Sequence, residues 1–221
     1  MEDNLTKKYF LRELEDVYKN IYKEVEKKIK EIEKRSKSFS REDIFKEICF
    51  CILVANNNLE KTLEIWKRLD DYLLNSTKDE LRRKLKSLGY RFYNKRAEYI
   101  IEARKQINDL YEITRRKGPE EIREWLVENI KGIGWKEASH FLRNIGYKNF
   151  AILDRHVLRI LEKHNIIKEI PKSLPKRKYL EIENKLRELS EELSKILKKR
   201  IIPAELDFIL FYLDSKKICE K

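Results

Sequence analysis

Glycine and proline are scarce in this 221-residue chain, with five glycines and four prolines. Because these residues form most tight turns, their scarcity leaves little room for a fold with many short turns and favours helices. Charged residues make up 41% of the chain and apolar residues another 41%. This balance is typical of a globular protein with a heavily charged surface and excludes a disordered chain. The sequence therefore predicts an all-α protein, as one domain or two closely packed lobes.

Cysteines and long apolar runs are also few. Three cysteines, Cys49, Cys51 and Cys219, suggest neither a disulfide framework nor a zinc site. The longest apolar run, 48–55, falls short of the about 18 residues that a membrane-spanning helix needs. The N-terminal segment has no signal-peptide pattern, so we expect a cytoplasmic protein with no membrane partner. Nothing in the sequence demands more than a monomer.

Acidic residues are outnumbered by basic ones, which gives a formal net charge of +12. Such an excess points to a polyanionic partner, for which nucleic acid and anionic membrane are the two usual candidates. The basic residues are mixed with glutamates along 5–35, so that stretch is interpreted as a packing helix with a solvated face, with a basic DNA-binding arm as the alternative.

Helical spacing and start signals recur along the chain. Ser40 with Asp43, and Thr77 with Glu80, are spaced as capping boxes. Apolar residues three or four positions apart predict helices over 5–35, 40–55, 77–89, 95–111, 176–199 and from Pro203 onward. The segment 163–175, with two prolines, is predicted to be a loop.

The segment 119–161 organises the rest of the chain. Pro119 should start a helix that ends near Ile130, and a second helix should cover 136–145, with Gly146 as its stop. Between them stands Lys131-Gly132-Ile133-Gly134, so the segment predicts a helix-hairpin-helix. The glycines permit positive φ and close backbone approach, and the N–H groups of such a turn bind a DNA phosphate without reading sequence. Ile133 should fill the gap between the two helices.

Two residues of this segment carry candidate chemistry. Lys136 stands just past the hairpin glycines, and a partly desolvated lysine near other cations can lose its proton and attack carbon. Asp154 could stabilise positive charge at a sugar carbon, as carboxylates do in glycoside cleavage. Each has a plainer interpretation, because a lysine at a helix start is usually solvated and Asp154 could simply cap a helix over 155–161. Capping and catalysis by Asp154 are compatible.

Other candidate residues remain open on composition alone. The stretch 89–96 interleaves aromatic and basic residues, a pattern that suits flipped or single-stranded bases, although Phe92 and Tyr93 could equally be core. His140 and His156 are isolated on different helices and are interpreted as structural, with a metal or general-base role as the alternative. Trp135 could be a wedge or a core residue.

Four sequence motifs resemble those of a known family: GYRFY at 89–93, KRAEY at 95–99, KEASHFLRN at 136–144 and AILDRH at 151–156. Lys136 lies two positions after the hairpin glycines, and Asp154 follows the second helix. In these features the chain resembles the helix-hairpin-helix DNA glycosylases. More narrowly, the chain is similar to the type 2 8-oxoguanine DNA glycosylases of archaea and some bacteria. The resemblance covers most of the chain from about Phe45.

The resemblance implies a bifunctional enzyme that removes 8-oxoguanine from double-stranded DNA through a lysine Schiff base and nicks the strand by β-elimination. The site residues that it implies are Lys136 and Asp154 for catalysis, Phe92, Phe211 and Lys221 for the base, and Lys131, Gly132, Ile133 and Gly134 for the DNA backbone. No cofactor is required, a monovalent cation held by the hairpin is compatible, and the iron–sulfur cluster of some relatives is excluded because Cys219 stands alone near the C-terminus.

Two departures and three rivals accompany the resemblance. Phe211 stands where the family commonly has a tryptophan, and 57–62 replaces a small, glycine-containing stretch. The rivals are a glycosylase of the same fold for another oxidised base and a hairpin protein that binds DNA without catalysis, with a helical adaptor that binds RNA through charge alone as a third. The predicted organisation is a single two-lobe unit over 1–221, with 40–118 as one lobe, 119–161 as hairpin and aspartate segment, and 1–39 with 162–221 as the second lobe.

Overall fold

The computed structural model describes residues 2–217, with side chains from Leu5 onward. Within that range the chain forms twelve α-helices and no strand, which confirms the all-α prediction. Contacts group the chain into two units. The central unit is Arg35–Ile145, and the terminal unit joins the chain up to Lys34 with the chain from Gly146. The organisation predicted from sequence keeps 119–161 together, whereas the contacts divide that segment between Ile145 and Gly146.

The central unit is built around an apolar helix, α2. Ser40 caps it as predicted: the Asp43 N–H donates to Ser40 Oγ at 3.1 Å, and the Ser40 N–H donates to Asp43 Oδ2 at 2.9 Å. Residues on every side of α2 are fully buried because α3, α6, α7 and α9 surround it. The helices of this unit are α2 (Arg41–Val54), α3 (Leu59–Lys67), α4 (Asp70–Asn75), α5 (Lys78–Ser87), α6 (Tyr93–Lys105), α7 (Ile107–Arg116), α8 (Pro119–Asn129) and α9 (Trp135–Asn144).

Two parts of the central unit differ from the sequence-based expectation. Helices α3 and α4 lie where no helix is predicted; Asn58 starts α3 by accepting the Lys61 N–H at 2.9 Å through its side chain. The prediction of a single helix over 95–111 is wrong, because the helix is interrupted at Gln106, which separates α6 from α7. The Gln106 N–H turns back to Ala103 O at 3.0 Å, and its side-chain amide donates to Asn129 O at 2.9 Å. That contact between distant parts of the chain leaves no trace in local periodicity.

The terminal unit is built from four helices: α1 (Glu2–Ser36), α10 (Arg155–Lys163), α11 (Lys176–Leu197) and α12 (Pro203–Ser215). Pro203 begins the last helix, as its position predicts. One face of α1 is buried in the core, including Phe10 and Leu14, so its interpretation as a packing helix is confirmed. Helix α12 packs against α10 and α11. Over the described residues, none of the helices combines the length and the apolar character needed to cross a bilayer.

Candidate active site

The hairpin turn between α8 and α9 needs glycine at one of its two glycine positions. Gly132 has φ +84°, and a Cβ built there would lie 2.5 Å from Cδ2 of Tyr99. Gly134 instead has φ −103° and ψ −172°, an extended conformation open to any residue. The expectation that both glycines serve positive φ is therefore corrected: Gly134 is the N-cap of α9, where backbone is extended. Ile133 is buried between the helices, as predicted.

The polar groups of the turn already have partners in the chain. The Ile133 N–H donates to Ile130 O at 3.2 Å, and the Gly134 N–H donates to Glu137 Oε2 at 3.3 Å. Lys131 Nζ lies 2.9 Å from Glu102 Oε2, and this hydrogen-bonded pair raises the pKa of the Lys131 amine. A phosphate arriving at this turn would compete with two carboxylates, so binding the DNA backbone here requires Lys131 or Gly134 to exchange partners.

Lys136 is the second residue of α9, at the end of the helix where the dipole is positive. Its Nζ lies 3.3 Å from Glu137 Oε1, and the two side chains are 27% and 14% exposed. The amine is therefore partly withdrawn from water, yet still reachable. A lysine held at the edge of the protein in this way can meet a substrate carbon as a nucleophile. The plain reading of Lys136 as a solvated helix-start residue does not describe this side chain.

Trp135, left open between wedge and core, lies half-buried at the start of α9. The buried guanidinium of Arg123 lies 5.1 Å from its ring centroid. Arg123 Nη1 also donates to Ser139 Oγ at 3.3 Å, and Ser139 Oγ donates back to Trp135 O at 2.9 Å. The indole is thus held by α8 through a cation–π contact, which fixes the first turn of α9.

Phe92 immediately precedes α6 and is half-buried. The guanidinium of Arg91 lies 4.2 Å from its ring centroid and that of Arg96 lies 5.7 Å away. Arg96 is buried, donates to Ala55 O at 2.9 Å and also reaches the ring of Tyr99, the residue against which Gly132 packs. Inside the central unit, Arg96 therefore connects the predicted base-stacking ring to the hairpin, a link that sequence spacing does not reveal.

Asp154 caps α10 in the terminal unit, as its position predicts. Its Oδ1 accepts the Val157 N–H at 2.9 Å, so the carboxylate is oriented by backbone and remains half-buried. The segment before it is held by two buried side chains that the sequence did not single out. Tyr179 OH donates to Ala151 O at 2.7 Å, and Asp207 Oδ1 accepts the Ile152 N–H at 3.3 Å. These two hydrogen bonds hold the backbone of the segment that precedes Asp154.

Phe211 lies on α12, and His156 packs edge-on against it with ring centroids 4.7 Å apart. His156 Nδ1 lies 2.6 Å from Asp214 Oδ2, and Arg159 Nε donates to Asp214 Oδ1 at 3.2 Å. The hydrogen bond from Arg159 is the main cause that lowers the pKa of Asp214. His156 is therefore structural in that it ties α10, which Asp154 begins, to the Phe211 ring. Lys221 lies outside the described residues.

His140 and the cysteines Cys49 and Cys51 are buried in the central unit. His140 packs edge-on to Phe50 with centroids 5.6 Å apart, which confirms its structural interpretation. Cys49 and Cys51 are free thiols, and burial raises the pKa of Cys49. Among the side chains that the structure describes, no three His, Cys, Asp or Glu groups gather closely enough to hold a metal ion.

The site residues predicted from sequence thus form two sets, each within its own unit. In the central unit the hairpin residues, Lys136 and Phe92 belong to one connected set. In the terminal unit Asp154 and Phe211 belong to another, joined through His156.

Comparisons with known proteins identify the family of the chain. The family described as 8-oxoguanine DNA glycosylase matches residues 25–195. The chain is 48% identical over 211 residues to the 8-oxoguanine DNA glycosylase/AP lyase of Methanocaldococcus jannaschii, covering 94% of this chain and 98% of that protein. It is 40% identical over 209 residues to the protein of the same name from Thermotoga maritima, covering 94% of this chain and 97% of that protein.

Solved structures show the same likeness. The crystal structure of the Methanocaldococcus jannaschii 8-oxoguanine glycosylase/lyase in complex with a 15mer DNA containing 8-oxoguanine has a TM-score of 0.87 at 45% identity, covering 94% of this chain and 98% of that one. The 8-oxoguanine DNA glycosylase of Thermotoga maritima has a TM-score of 0.88 at 38% identity, covering 97% of this chain and all of that one. The chain therefore belongs to the 8-oxoguanine DNA glycosylase family.

Proposed function

We propose that this protein is a bifunctional base-excision repair enzyme that removes 8-oxoguanine from double-stranded DNA and then cuts the strand at the abasic site. The observation that carries the proposal is the placement of Lys136: a partly buried amine in the first turn of α9, directly after the hairpin. Family membership supplies the substrate class, since relatives of the same length carry the name 8-oxoguanine DNA glycosylase/AP lyase.

In the proposed reaction the neutral Lys136 amine attacks C1′ of the lesion nucleotide. The C1′–N bond to lysine forms as the glycosidic bond breaks, and the base leaves with a proton. Asp154 stabilises the positive charge that develops at the sugar, in the manner of carboxylates in glycosidases. Opening of the sugar ring gives a Schiff base, loss of a 2′ proton expels the 3′ phosphate, and hydrolysis of the imine frees Lys136.

Recognition draws on aromatic and backbone groups. The lesion base leaves the stack at a cost of about a few kcal/mol, and Phe92 and Phe211 offer ring faces to it. Arg91 and Arg96 beside Phe92 bring positive charge to the same region of the central unit. The hairpin residues Lys131, Gly132, Ile133 and Gly134 would hold the phosphate backbone, with Lys221 as a further contact to the base. The net charge of +12 favours DNA over any neutral partner.

The chemistry needs no cofactor: the proton that the Lys136 amine loses on alkylation leaves with the base, solvent protonates the opened ring oxygen and hydrolyses the imine, and no step needs an oxidant or a reductant. A monovalent cation held by carbonyl oxygens of the hairpin would assist phosphate binding without entering the reaction. We place the enzyme in the cytoplasm, acting on DNA as a monomer.

The test is strand cleavage of a duplex with a single 8-oxoguanine, compared with the same duplex carrying guanine and with duplexes carrying oxidised pyrimidines. We expect cleavage at 8-oxoguanine that leaves an unsaturated aldehyde on the 3′ end, and none at guanine. Preferential cleavage at an oxidised pyrimidine would assign another lesion. Tight binding without cleavage of any duplex would leave a hairpin protein that only holds DNA.

A further inference from the structure

The first turn of α9 contains a carboxylate, Glu137, to which the proposed reaction assigns no role. One of its oxygens, Oε1, lies 3.3 Å from Lys136 Nζ. The other, Oε2, accepts the Gly134 N–H at 3.3 Å. At 14% exposure, the Glu137 side chain is more deeply buried than the lysine that it contacts. A chain of contacts therefore runs from the hairpin backbone through the carboxylate to the amine.

This arrangement matters because lysine is a poorly ordered nucleophile by itself. Its four-carbon stem rotates freely and its ammonium is a compact point charge with no fixed direction. Reactions gain large rate factors when the attacking atom is held near its target, and lose them when it is misplaced by about 1 Å. A carboxylate fixed at one oxygen by a backbone N–H is a rigid point to which such an amine can be held.

We propose that Glu137 is a positioning residue, which holds the Lys136 amine against the hairpin in the place from which it attacks. The proposal rests on the proposed role of Lys136 as nucleophile. It assigns to Glu137 an effect on the rate of covalent chemistry and none on the affinity for DNA.

The chain offers a matched control at the start of the neighbouring helix. On α8, Glu121 Oε2 accepts the Gly118 N–H at 3.3 Å, and Glu121 Oε1 lies 2.9 Å from Lys117 Nζ. The motif is the same: a glycine N-cap, a glutamate at the third helical position and an ion pair to a nearby lysine. The difference is burial, since Lys117 and Glu121 are 54% and 60% exposed and neither has a proposed part in the chemistry.

Two other roles for Glu137 give different expectations. If it were only a helix cap, removing it would lower stability as much as removing Glu121 does, with no specific effect on chemistry. If it were the base that takes the proton from Lys136, its negative charge would be indispensable. A glutamine retains an oxygen that can accept from the Gly134 N–H or from the amine, but it is not a base.

The experiment is single-turnover borohydride trapping on an 8-oxoguanine duplex, with the dissociation constant measured on the same duplex by fluorescence anisotropy. The full-length chain is compared as wild type, Glu137→Ala, Glu137→Gln, Glu121→Ala and Lys136→Gln. We expect Glu137→Ala to slow trapping by about 10- to 100-fold, the cost of a misplaced reacting group, with affinity unchanged within about twofold. The trapping rate of Glu137→Gln should stay within about threefold of the wild-type rate. The trapping rate of Glu121→Ala should equal the wild-type rate.

Each contrary result is distinct. Normal trapping by Glu137→Ala overturns the positioning role while the proposed function stands. Glu137→Gln as slow as Glu137→Ala would make the residue a proton acceptor, which also overturns it. An equal loss in Glu121→Ala would reduce both effects to helix capping. Failure of the wild type to trap, or trapping by Lys136→Gln equal to wild type, would remove the proposed function and the positioning role together.

Discussion

Helices α9 and α10 each begin beside one residue of the proposed chemistry, but the charged side chains at the two helix starts differ. At α10 the N-cap is Asp154, whose own carboxylate accepts the Val157 N–H. At α9 the N-cap is Gly134, which has no side chain, and the first turn carries both the cation of Lys136 and the carboxylate of Glu137. Helix N-termini favour anions, so the dipole favours the carboxylates of Asp154 and Glu137 and does not favour a cation at Lys136. A carboxylate is stable at such a position unaided, whereas the amine there is paired with Glu137.

The approaches to the two helices differ as well. The turn before α9 depends on backbone conformation, with Gly132 in a left-handed region pressed against Tyr99. The segment before α10 depends on side chains, because Tyr179 and Asp207 hold its backbone groups. The conformation of the hairpin is therefore sensitive to a single methyl group added at Gly132. The segment before Asp154 is sensitive to the loss of buried hydrogen bonds.

The largest expected effect comes from removing the amine at α9. Lys136→Gln should lower the rate of strand cleavage by at least about a thousandfold, because it removes the amine on which the proposed reaction forms the Schiff base. Binding to the 8-oxoguanine duplex should survive, since the hairpin and aromatic contacts remain. Lys117→Gln, which removes an exposed lysine with no proposed part in the chemistry, is the control and should cleave as the wild type does. Comparable losses in both variants would mean that charge, and not covalent chemistry, is what Lys136 supplies.

At α10, two substitutions separate capping from catalysis. Asparagine caps helices about as well as aspartate, so Asp154→Asn should leave the free energy of unfolding nearly unchanged while slowing base excision by about 100-fold or more. Asp154→Ala should slow excision similarly and also lower the free energy of unfolding by about 1 kcal/mol. Urea denaturation and single-turnover excision measure the two quantities. An Asp154→Asn enzyme of normal rate would reduce Asp154 to a helix cap.

The glycines of the hairpin give a smaller effect that sharpens the contrast between the two approaches. Gly132→Ala should lower the free energy of unfolding by about 1–3 kcal/mol, because it combines a left-handed φ with a Cβ that meets the ring of Tyr99. Gly134→Ala should cost about 0.5–1 kcal/mol, because alanine is a poorer N-cap than glycine, although the φ of Gly134 is ordinary and the nearest atom, Glu137 Oε2 at 3.3 Å, ends a flexible side chain. Urea denaturation of both variants checks this. Equal losses would show that the turn does not depend on Gly132 in particular.

The smallest expected effect is at the other end of α10, where His164 caps the helix and stacks on Phe10 with centroids 4.1 Å apart. Burial lowers the pKa of His164 below its ordinary value of 6.5. As the pH falls below about 6.5, the unfolded chain takes up a proton that the folded chain resists, so the free energy of unfolding should decrease until the folded pKa is passed. Denaturant midpoints between pH 7.5 and 5 measure it. The His164→Phe variant should lose less stability over that range, and an identical decline would contradict the assignment.

Local signals in the sequence predict much of the fold, including the helix cap at Asp154. Ser40, Thr77, Pro119 and Pro203 begin helices because capping and proline effects act within one turn. Asp154 caps α10 for the same reason. The roles of Lys136 and Phe92 were taken from the family resemblance, because one lysine among many cannot be distinguished by spacing alone.

What local signals could not give are contacts between residues far apart in sequence. The break at Gln106 depends on Asn129, and the link from Phe92 to the hairpin runs through Arg96 and Tyr99. Other contacts of this kind also join separate segments of the chain. Tyr179 and Asp207 form hydrogen bonds with residues 151–152, and His156 packs on Phe211. The pairing of Lys136 with Glu137 could have been predicted from sequence. The two residues are adjacent, and Glu137 is at the third helical position after the Gly134 N-cap, from which a glutamate accepts the N-cap N–H.

In the proposed reaction the amine of Lys136 becomes covalently bound to C1′ of the lesion nucleotide. Borohydride reduction of the reaction on an 8-oxoguanine duplex, followed by proteolysis and mass spectrometry of the DNA-linked peptide, identifies the attacking amine. We expect one modified residue, Lys136, in the peptide that follows the hairpin. A sugar remnant on any other lysine or on the N-terminal amine, with Lys136 unmodified, would contradict the proposed reaction.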